Sequence, residues 1–261
     1  MNEPQLLMAE RRDDVLFLTL NRPDQYNALS EDMLAALQSA LDGCAEDAAL
    51  RAVVIAGAGK AFCAGHDLKQ MRSHDGDRAY YQQLFERCGR VMQSIVQCPV
   101  PVIARVHGTA TAAGCQLVAS CDLAIASNTA RFAVSGINVG LFCSTPAVAL
   151  TRNVPIKNAF EMLVTGRFIS ADEAAAHGLI NHAVPPEELD RALDGLLGAI
   201  CEKSPLAVRT GKAMYKRQCG MTLEDAYAYA GEIMADNMMA DDAGEGIDAF
   251  MQKRPPQWTG R

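Results

Sequence analysis

The chain has 261 residues, 49% hydrophobic and 21% charged, with a net charge of −7. That profile suits a globular protein long enough to bury a full core. The negative balance argues against a nucleic-acid partner, because phosphate neutralisation demands a basic face. No apolar run reaches the ~20 residues of a membrane span, so no membrane partner is expected. The nine cysteines are scattered without a C-x-x-C pair, which favours reduced thiols over a disulfide framework. The stretch Met1 to Asp14 carries charges within its first dozen residues. It reads neither as a secretory h-region nor as an acid-poor transit peptide. A cytoplasmic location is expected, with the mitochondrial matrix as the alternative for a processed eukaryotic chain.

In chain order, Val15 to Leu20 reads as a strand, ended by Asn21-Arg22-Pro23 because proline lacks a donor and restricts its predecessor. Ser30 is placed to cap a helix that presents Met33, Leu34, Leu37 and Leu41 on one face. Arg51 to Ala56 reads as a buried strand ended by Gly57-Ala58-Gly59, and a helix covers about Arg78 to Val96. Pro99 to Val106 and Asp122 to Ala126 are further strands. Strands alternating with helices point to parallel pairing through crossovers. From Ser144 onward the pattern turns helical: Lys157–Val164, Ala171–Ala176, Glu187–Cys201, Pro205–Arg217, Leu223–Met239 and Ala243–Lys253, with one strand at Ile180–Val184. Ile233, Met234, Met238 and Met239 form an apolar stripe suited to the core or to a subunit contact. The expectation is an α/β core over residues 1–200 and a helical region over 201–261.

Several chemistries drop out. Gly57-Ala58-Gly59-Lys60 lacks the serine or threonine of a phosphate loop and the third glycine of a dinucleotide fingerprint. The five histidines lack the i, i+4 spacing of a helical metal site, and there is no G-x-S-x-G elbow. Two segments carry more weight. Lys60-Ala61-Phe62-Cys63-Ala64-Gly65-His66-Asp67-Leu68-Lys69 and His107 to Leu117 each follow a strand, and both are rich in small residues. Small side chains at a strand-to-helix turn let a ligand approach backbone N–H groups. A helix beginning at Ala113 would also present its free N–H at the positive end of the dipole. Two such loops facing each other make a two-donor oxyanion hole; tight helix starts chosen for packing produce the same pattern.

Leu18-Thr19-Leu20-Asn21-Arg22-Pro23 with Asn27-Ala28-Leu29, then Ala61 to Leu68, then Ala113-Gly114-Cys115 ahead of Cys121-Asp122, resemble the ordered motifs of the crotonase (enoyl-CoA hydratase/isomerase) superfamily. So do Thr165-Gly166, Ala174 to Ile180 and Glu245 to Arg254, so the resemblance covers nearly the whole chain. It implies a crotonase-like spiral of ββα units with a C-terminal helical trimerisation region, forming a homotrimer or a dimer of trimers. It implies an acyl-CoA ligand and no cofactor beyond coenzyme A as part of the substrate, with no metal. The backbone amides of His66 and Ala113 fall where the family supplies its oxyanion hole, and Ala64 and Gly65 belong to the same motif. Lys60 and Lys69 resemble lysines that meet CoA phosphates, though either also reads as a solvated surface charge. Lys253 and Met234 resemble positions that reach the adenine end, partly from a neighbouring subunit.

The chain departs from the pattern at two places. Family hydratases use two glutamates to move protons; here the first position is Gln116 and the second Gly136. Neither can transfer a proton near neutral pH. The following Leu141-Phe142-Cys143-Ser144-Thr145-Pro146 offers Cys143 and Ser144 as a nucleophile or donor near a thioester, although packing or turn chemistry also accounts for them. His66 is a further base if its side chain turns inward, and Asp67 reads as a helix cap. The run from Ala112 to Asp122 together with Gly140 to Pro146 resembles the enoyl-CoA hydratase domain-containing protein 3 subgroup. That leaves an enzyme acting on acyl-CoA through non-glutamate chemistry, or a non-catalytic acyl-CoA binder. A third reading is an oligomeric interaction protein with a vestigial pocket.

Overall fold

A computed structural model describes residues 5–261; the first four residues of the N-terminal stretch read above lie outside the described residues. The chain opens with an antiparallel pair, β1 (Leu7–Arg12) against β2 (Val15–Leu20). The charged outer side of β1, with Glu10, Arg11 and Arg12 exposed, blunts that edge against strand addition. Ser30 caps α1 (Glu31–Glu46) by accepting from the Met33 amide, and Met33, Leu34, Leu37 and Leu41 are buried on one face. Then come β3 (Ala52–Gly57), β4 (Ala61–Cys63), α2 (Leu68–Arg72) and α3 (Arg78–Gln97). The next turn is β5 (Val102–Val106), β6 (Thr109–Thr111) and α4 (Ala113–Ser120). A third holds β7 (Leu123–Ser127), β8 (Arg131–Ala133) and α5 (Ser144–Leu150). Beyond lie α6 (Ile156–Thr165), β9 (Ile169–Ser170), α7 (Ala171–Ala176), β10 (His182–Val184) and α8 (Leu189–Cys201). Helices α9 (Pro205–Gln218), α10 (Leu223–Met238) and α11 (Asp241–Gln252) close the chain.

Each of the three central turns gives one strand to each of two sheets and then a helix. The larger sheet runs β1-β2-β3-β5-β7-β10 and the smaller β4-β6-β8-β9. Beyond the β1–β2 pair the larger sheet is parallel throughout. Successive residues of β3 face opposite cores: Val53 and Ile55 enter the main core, while Ala52 and Val54 pack with Leu193 and Leu197 of α8. Burial on both faces explains why this strand is an unbroken apolar run. The β5 strand starts at Val102, later than the Pro99 start read from sequence, since neither Pro99 nor Pro101 has an amide to pair. The apolar stripe of α10 and its C-cap is not core: Met234 and Met238 on the helix and Met239 at its end are exposed.

Candidate functional site

The smaller sheet positions the site. Its strands β4, β6 and β8 are parallel neighbours, with Ala61 beside Thr109 and Ala110 beside Phe132. The three loops that leave their C-terminal ends therefore emerge side by side. They are the Ala64–Asp67 loop, the Ala112 turn into α4, and the short helical turn Ser135–Val139. Ligand sites of parallel α/β sheets gather at such strand ends.

The first loop is braced from below. The fully buried Asn27 accepts from the Arg22 amide at 2.9 Å and donates to the Ala58 and Ala61 carbonyls, both at 2.8 Å. The Arg22 guanidinium meets Asp67 at 3.0 Å, and Asp67 caps α2 by accepting from the amides of Lys69 and Gln70. The expected cap role of Asp67 is thus observed. Around His66 the backbone is spoken for: the Leu29 amide donates to Gly65 O at 2.7 Å and the Asp67 amide to Leu29 O at 3.2 Å. The His66 amide itself has no protein acceptor among the described residues. Neither has that of Ala113, the first residue of α4, as expected for an opening helical N–H.

The two loops touch. A Cβ added to Gly65 (φ +93°) would lie 3.2 Å from Ala113 N, and one on Gly114 would lie 2.1 Å from Cys63 O. Between them Ala112 holds φ +50°, ψ −120°, a conformation that costs an L-residue of order 1–3 kcal/mol. It is kept by the Ala112 amide donating to Ala133 O at 3.0 Å and by its carbonyl accepting from Gln116 N at 3.0 Å. Sequence reasoning had no signal for this strain.

The loops border a cavity of about 410 Å³. Apolar side chains of Leu68, Met71, Phe85, Val139, Leu141 and Phe142 form much of its wall. Ala64, His66, Ala113, Gly136, Cys143 and Ser144 also line it, and among the described residues no lysine, arginine, aspartate or glutamate does. The His66 side chain does turn inward, edge-on to Phe85 with ring centroids 5.5 Å apart. Both ring nitrogens are buried without a partner, and burial pushes the imidazole down to about 4, with the Leu29 carbonyl opposing weakly. It is therefore neutral at pH 7 and a poor base.

At Gly136 the space for a side chain is filled. A Cβ there would sit 2.6 Å from Leu141 O and 2.8 Å from Cys143 Sγ. The Gly136 amide donates to that sulfur at 3.3 Å. Burial raises the Cys143 thiol, so the nucleophilic role considered for it is disfavoured. Ser144 is exposed at the rim, with its hydroxyl 3.4 Å from the Phe142 carbonyl.

Other expected site residues lie apart. Gln116 is buried on α4, with Oε1 unpartnered, and is not part of the cavity wall. Gly65 shapes the loop without facing the cavity, and Lys60 and Lys69 are exposed on either side of the β4 loop. Within one chain Met234 and Lys253 do not reach this cavity at all. Met234 lines a separate trough of about 530 Å³ with Phe250 and Trp258, and Lys253 follows α11. Sequence reasoning missed Leu68, Met71, Phe85 and Val139, whose apolar character is indistinguishable from core until the chain is folded. Among the described residues no group of three or more His, Cys, Asp or Glu is arranged to hold a metal ion.

Comparison with known proteins agrees with this architecture. The family model described as enoyl-CoA hydratase/isomerase matches residues 10–261. The mitochondrial enoyl-CoA hydratase domain-containing protein 3 of Rattus norvegicus is 46% identical over 258 residues, covering 99% of this chain and 86% of that protein. A solved enoyl-CoA hydratase from Mycobacterium smegmatis superposes with TM-score 0.96 at 58% identity, over 98% of this chain and 99% of the other. The human enoyl coenzyme A hydratase domain-containing protein 3 superposes with TM-score 0.94 at 45% identity, over 97% and 100%. With matches spanning nearly its full length, this chain belongs to the enoyl-CoA hydratase/isomerase (crotonase) family.

Proposed function

We propose that the protein binds an acyl-CoA thioester with the thioester oxygen between the amides of His66 and Ala113 and the acyl chain in the 410 Å³ cavity. One observation carries this reading: two amides on touching loops, unpartnered among the described residues, beside a cavity to which those residues bring no charged side chain. Donors fixed in a dry site favour the charge that develops on the oxygen as an enolate forms. The uncharged wall favours an aliphatic acyl group, since a second carboxylate would be buried without a partner. Exposed Lys60 and Lys69 supply charge for the CoA phosphates, and Met234 and Lys253 serve the adenine end of a neighbouring subunit's ligand. The exposed apolar side chains of α10 and α11, including Met238, Phe250 and Met251, support such a subunit contact in a homotrimer or dimer of trimers. Cytoplasm or mitochondrial matrix both suit a chain without a membrane-spanning helix among its described residues.

Hydration of a simple enoyl-CoA is expected to be weak. Losing one proton-transfer group removes ~10²–10⁴-fold, and the second adds less because the two act together. A binding or regulatory role is the second reading, favoured by the neutral Gln116 and by the closed space at Gly136. Calorimetric titration with free CoA and with octanoyl-CoA tests the ligand: tighter binding of the thioester is expected, and equal or absent affinity would sink the proposal. Crotonyl-CoA absorbance tests the chemistry, and rapid turnover would refute the loss of hydratase function.

A further inference from the structure

The wall of the acyl cavity includes four large apolar side chains that the fold leaves open to solvent. Leu68, Val139, Leu141 and Phe142 are between 42% and 67% exposed. One exposed apolar residue is ordinary on a protein surface. Several gathered on the wall of one cavity mark a surface that a ligand covers. The rest of the apolar wall is shielded: Ala113 and Pro146 are buried, and Met71 and Phe85 are half-buried. The cavity thus has a shielded part, which includes Ala113, and an apolar lip.

The lip is held in place by its backbone. Leu68 is the first residue of α2. The other three come from the Ser135–Val139 turn and the two residues after Gly140. Gly140 adopts φ +80°, its amide donates to Ile137 O at 3.0 Å, and the Leu141 amide donates to Gly136 O at 3.0 Å. The turn is anchored to the end of α6. Asn138 Nδ2 donates to Gly166 O at 3.3 Å, and a Cβ on Gly166 would lie 2.7 Å from Ile137 Cγ2. With Ile137 and Asn138 engaged there, Val139, Leu141 and Phe142 are left to the cavity and to solvent. A surface fixed in this way loses little freedom when a chain is laid on it.

We propose that the site takes long-chain acyl groups of the hexadecanoyl class. The carbons next to the thioester occupy the shielded part, and the distal methylenes lie across Leu68, Val139, Leu141 and Phe142. This rests on the thioester site proposed above and adds the length of the chain. A short acyl group leaves the lip wet, whereas a long one removes apolar surface of both the chain and the lip from water. A polar tail gains nothing there, because the lip side chains offer it no hydrogen-bond partner.

The test is calorimetric titration of the full chain with butanoyl-, octanoyl- and hexadecanoyl-CoA, the last kept below its micellar concentration. Hexadecanoyl-CoA should bind at least about tenfold tighter than octanoyl-CoA, a small part of what full burial of the added methylenes would supply. In a Val139→Ser, Leu141→Ser double variant that gain should shrink to about threefold or less, with butanoyl-CoA bound as in the wild type. Both side chains are exposed, so the substitutions should leave the fold intact. Equal affinity for octanoyl- and hexadecanoyl-CoA overturns the proposal. So does a hexadecanoyl gain that survives in the double variant, since the tail would then lie elsewhere. A protein that binds no thioester tighter than free CoA fails at the thioester site itself, a result distinct from failure of the chain length.

Discussion

Gly114→Ala tests the apposition of the two loops directly. The new Cβ would lie 2.1 Å from Cys63 O and 2.8 Å from both the carbonyl carbon and Cβ of Cys63. Ordinary contact begins at 3.4 Å, so β4 and α4 must separate by about 1.3 Å. Neither neighbour is a flexible side-chain end: Cys63 is a strand residue at 0% exposure and α4 is buried along its whole length. Overpacking of this kind costs ~1–3 kcal/mol and occasionally more, and backbone atoms place this case at the upper end. At ~2–4 °C per kcal/mol for a chain of this size, the melting temperature should fall by roughly 6–12 °C. The amides of His66 and Ala113 would part by a similar distance. Two neutral hydrogen bonds at ~0.5–1.5 kcal/mol each correspond to a loss of roughly five- to 150-fold in affinity. That loss should appear for octanoyl-CoA and not for free CoA, which has no thioester oxygen. Gly89→Ala is the control, since a Cβ there meets nothing within 4 Å, and helix propensity predicts a gain of up to ~1 kcal/mol. A Gly114→Ala protein that melts and binds octanoyl-CoA like the wild type would refute the apposition and the proposed oxygen site with it.

Two further outcomes are expected. Burial holds the folded His66 at about 4 against 6.5 ordinarily. The unfolded chain therefore takes up the proton first, and stability present above pH 6.5 is lost as pH falls toward 4, by at most roughly 3 kcal/mol. Urea midpoints at about pH 7 and pH 4.5 should differ less for His66→Gln than for the wild type, and equal differences would contradict the buried neutral ring. Asp242 is 2% exposed and accepts from the amides of Thr259 and Gly260 and from the Ser204 hydroxyl, tying the C-terminal segment to α9. Asp242→Ala should cost about 3 kcal/mol and expose residues 255–261 to limited proteolysis. Unchanged digestion would show that the segment is held by other contacts, such as the Trp258 indole donating to Glu202 O.

Much was legible before folding because it is local. The Ser30 cap, the buried face of α1, the Ala171–Ala176 helix and the strand at Val15–Leu20 all follow from spacing and end chemistry within a few residues. The strand β1 was missed because its side chains are charged and exposed, leaving no apolar alternation to read. The smaller sheet was also missed. Its strands are two or three residues long, too short for any period to register.

By itself the sequence determined the α/β class, the order of the strand-rich and helical parts, the cap at Asp67 and the small-residue loops at Gly65 and Ala113. Each depends on neighbours in the chain or on an ordered motif. Only the tertiary structure decided that those loops meet, since that contact follows from parallel pairing of β4 with β6 across nearly 50 residues. It also decided that Cys143 sulfur closes the space at Gly136, that His66 is buried neutral, and that Met234 lines a different pocket from the cavity in its own chain. Burial, distance and unpaired hydrogen bonds are properties of segments brought together in space, and no spacing along the chain encodes them one residue at a time.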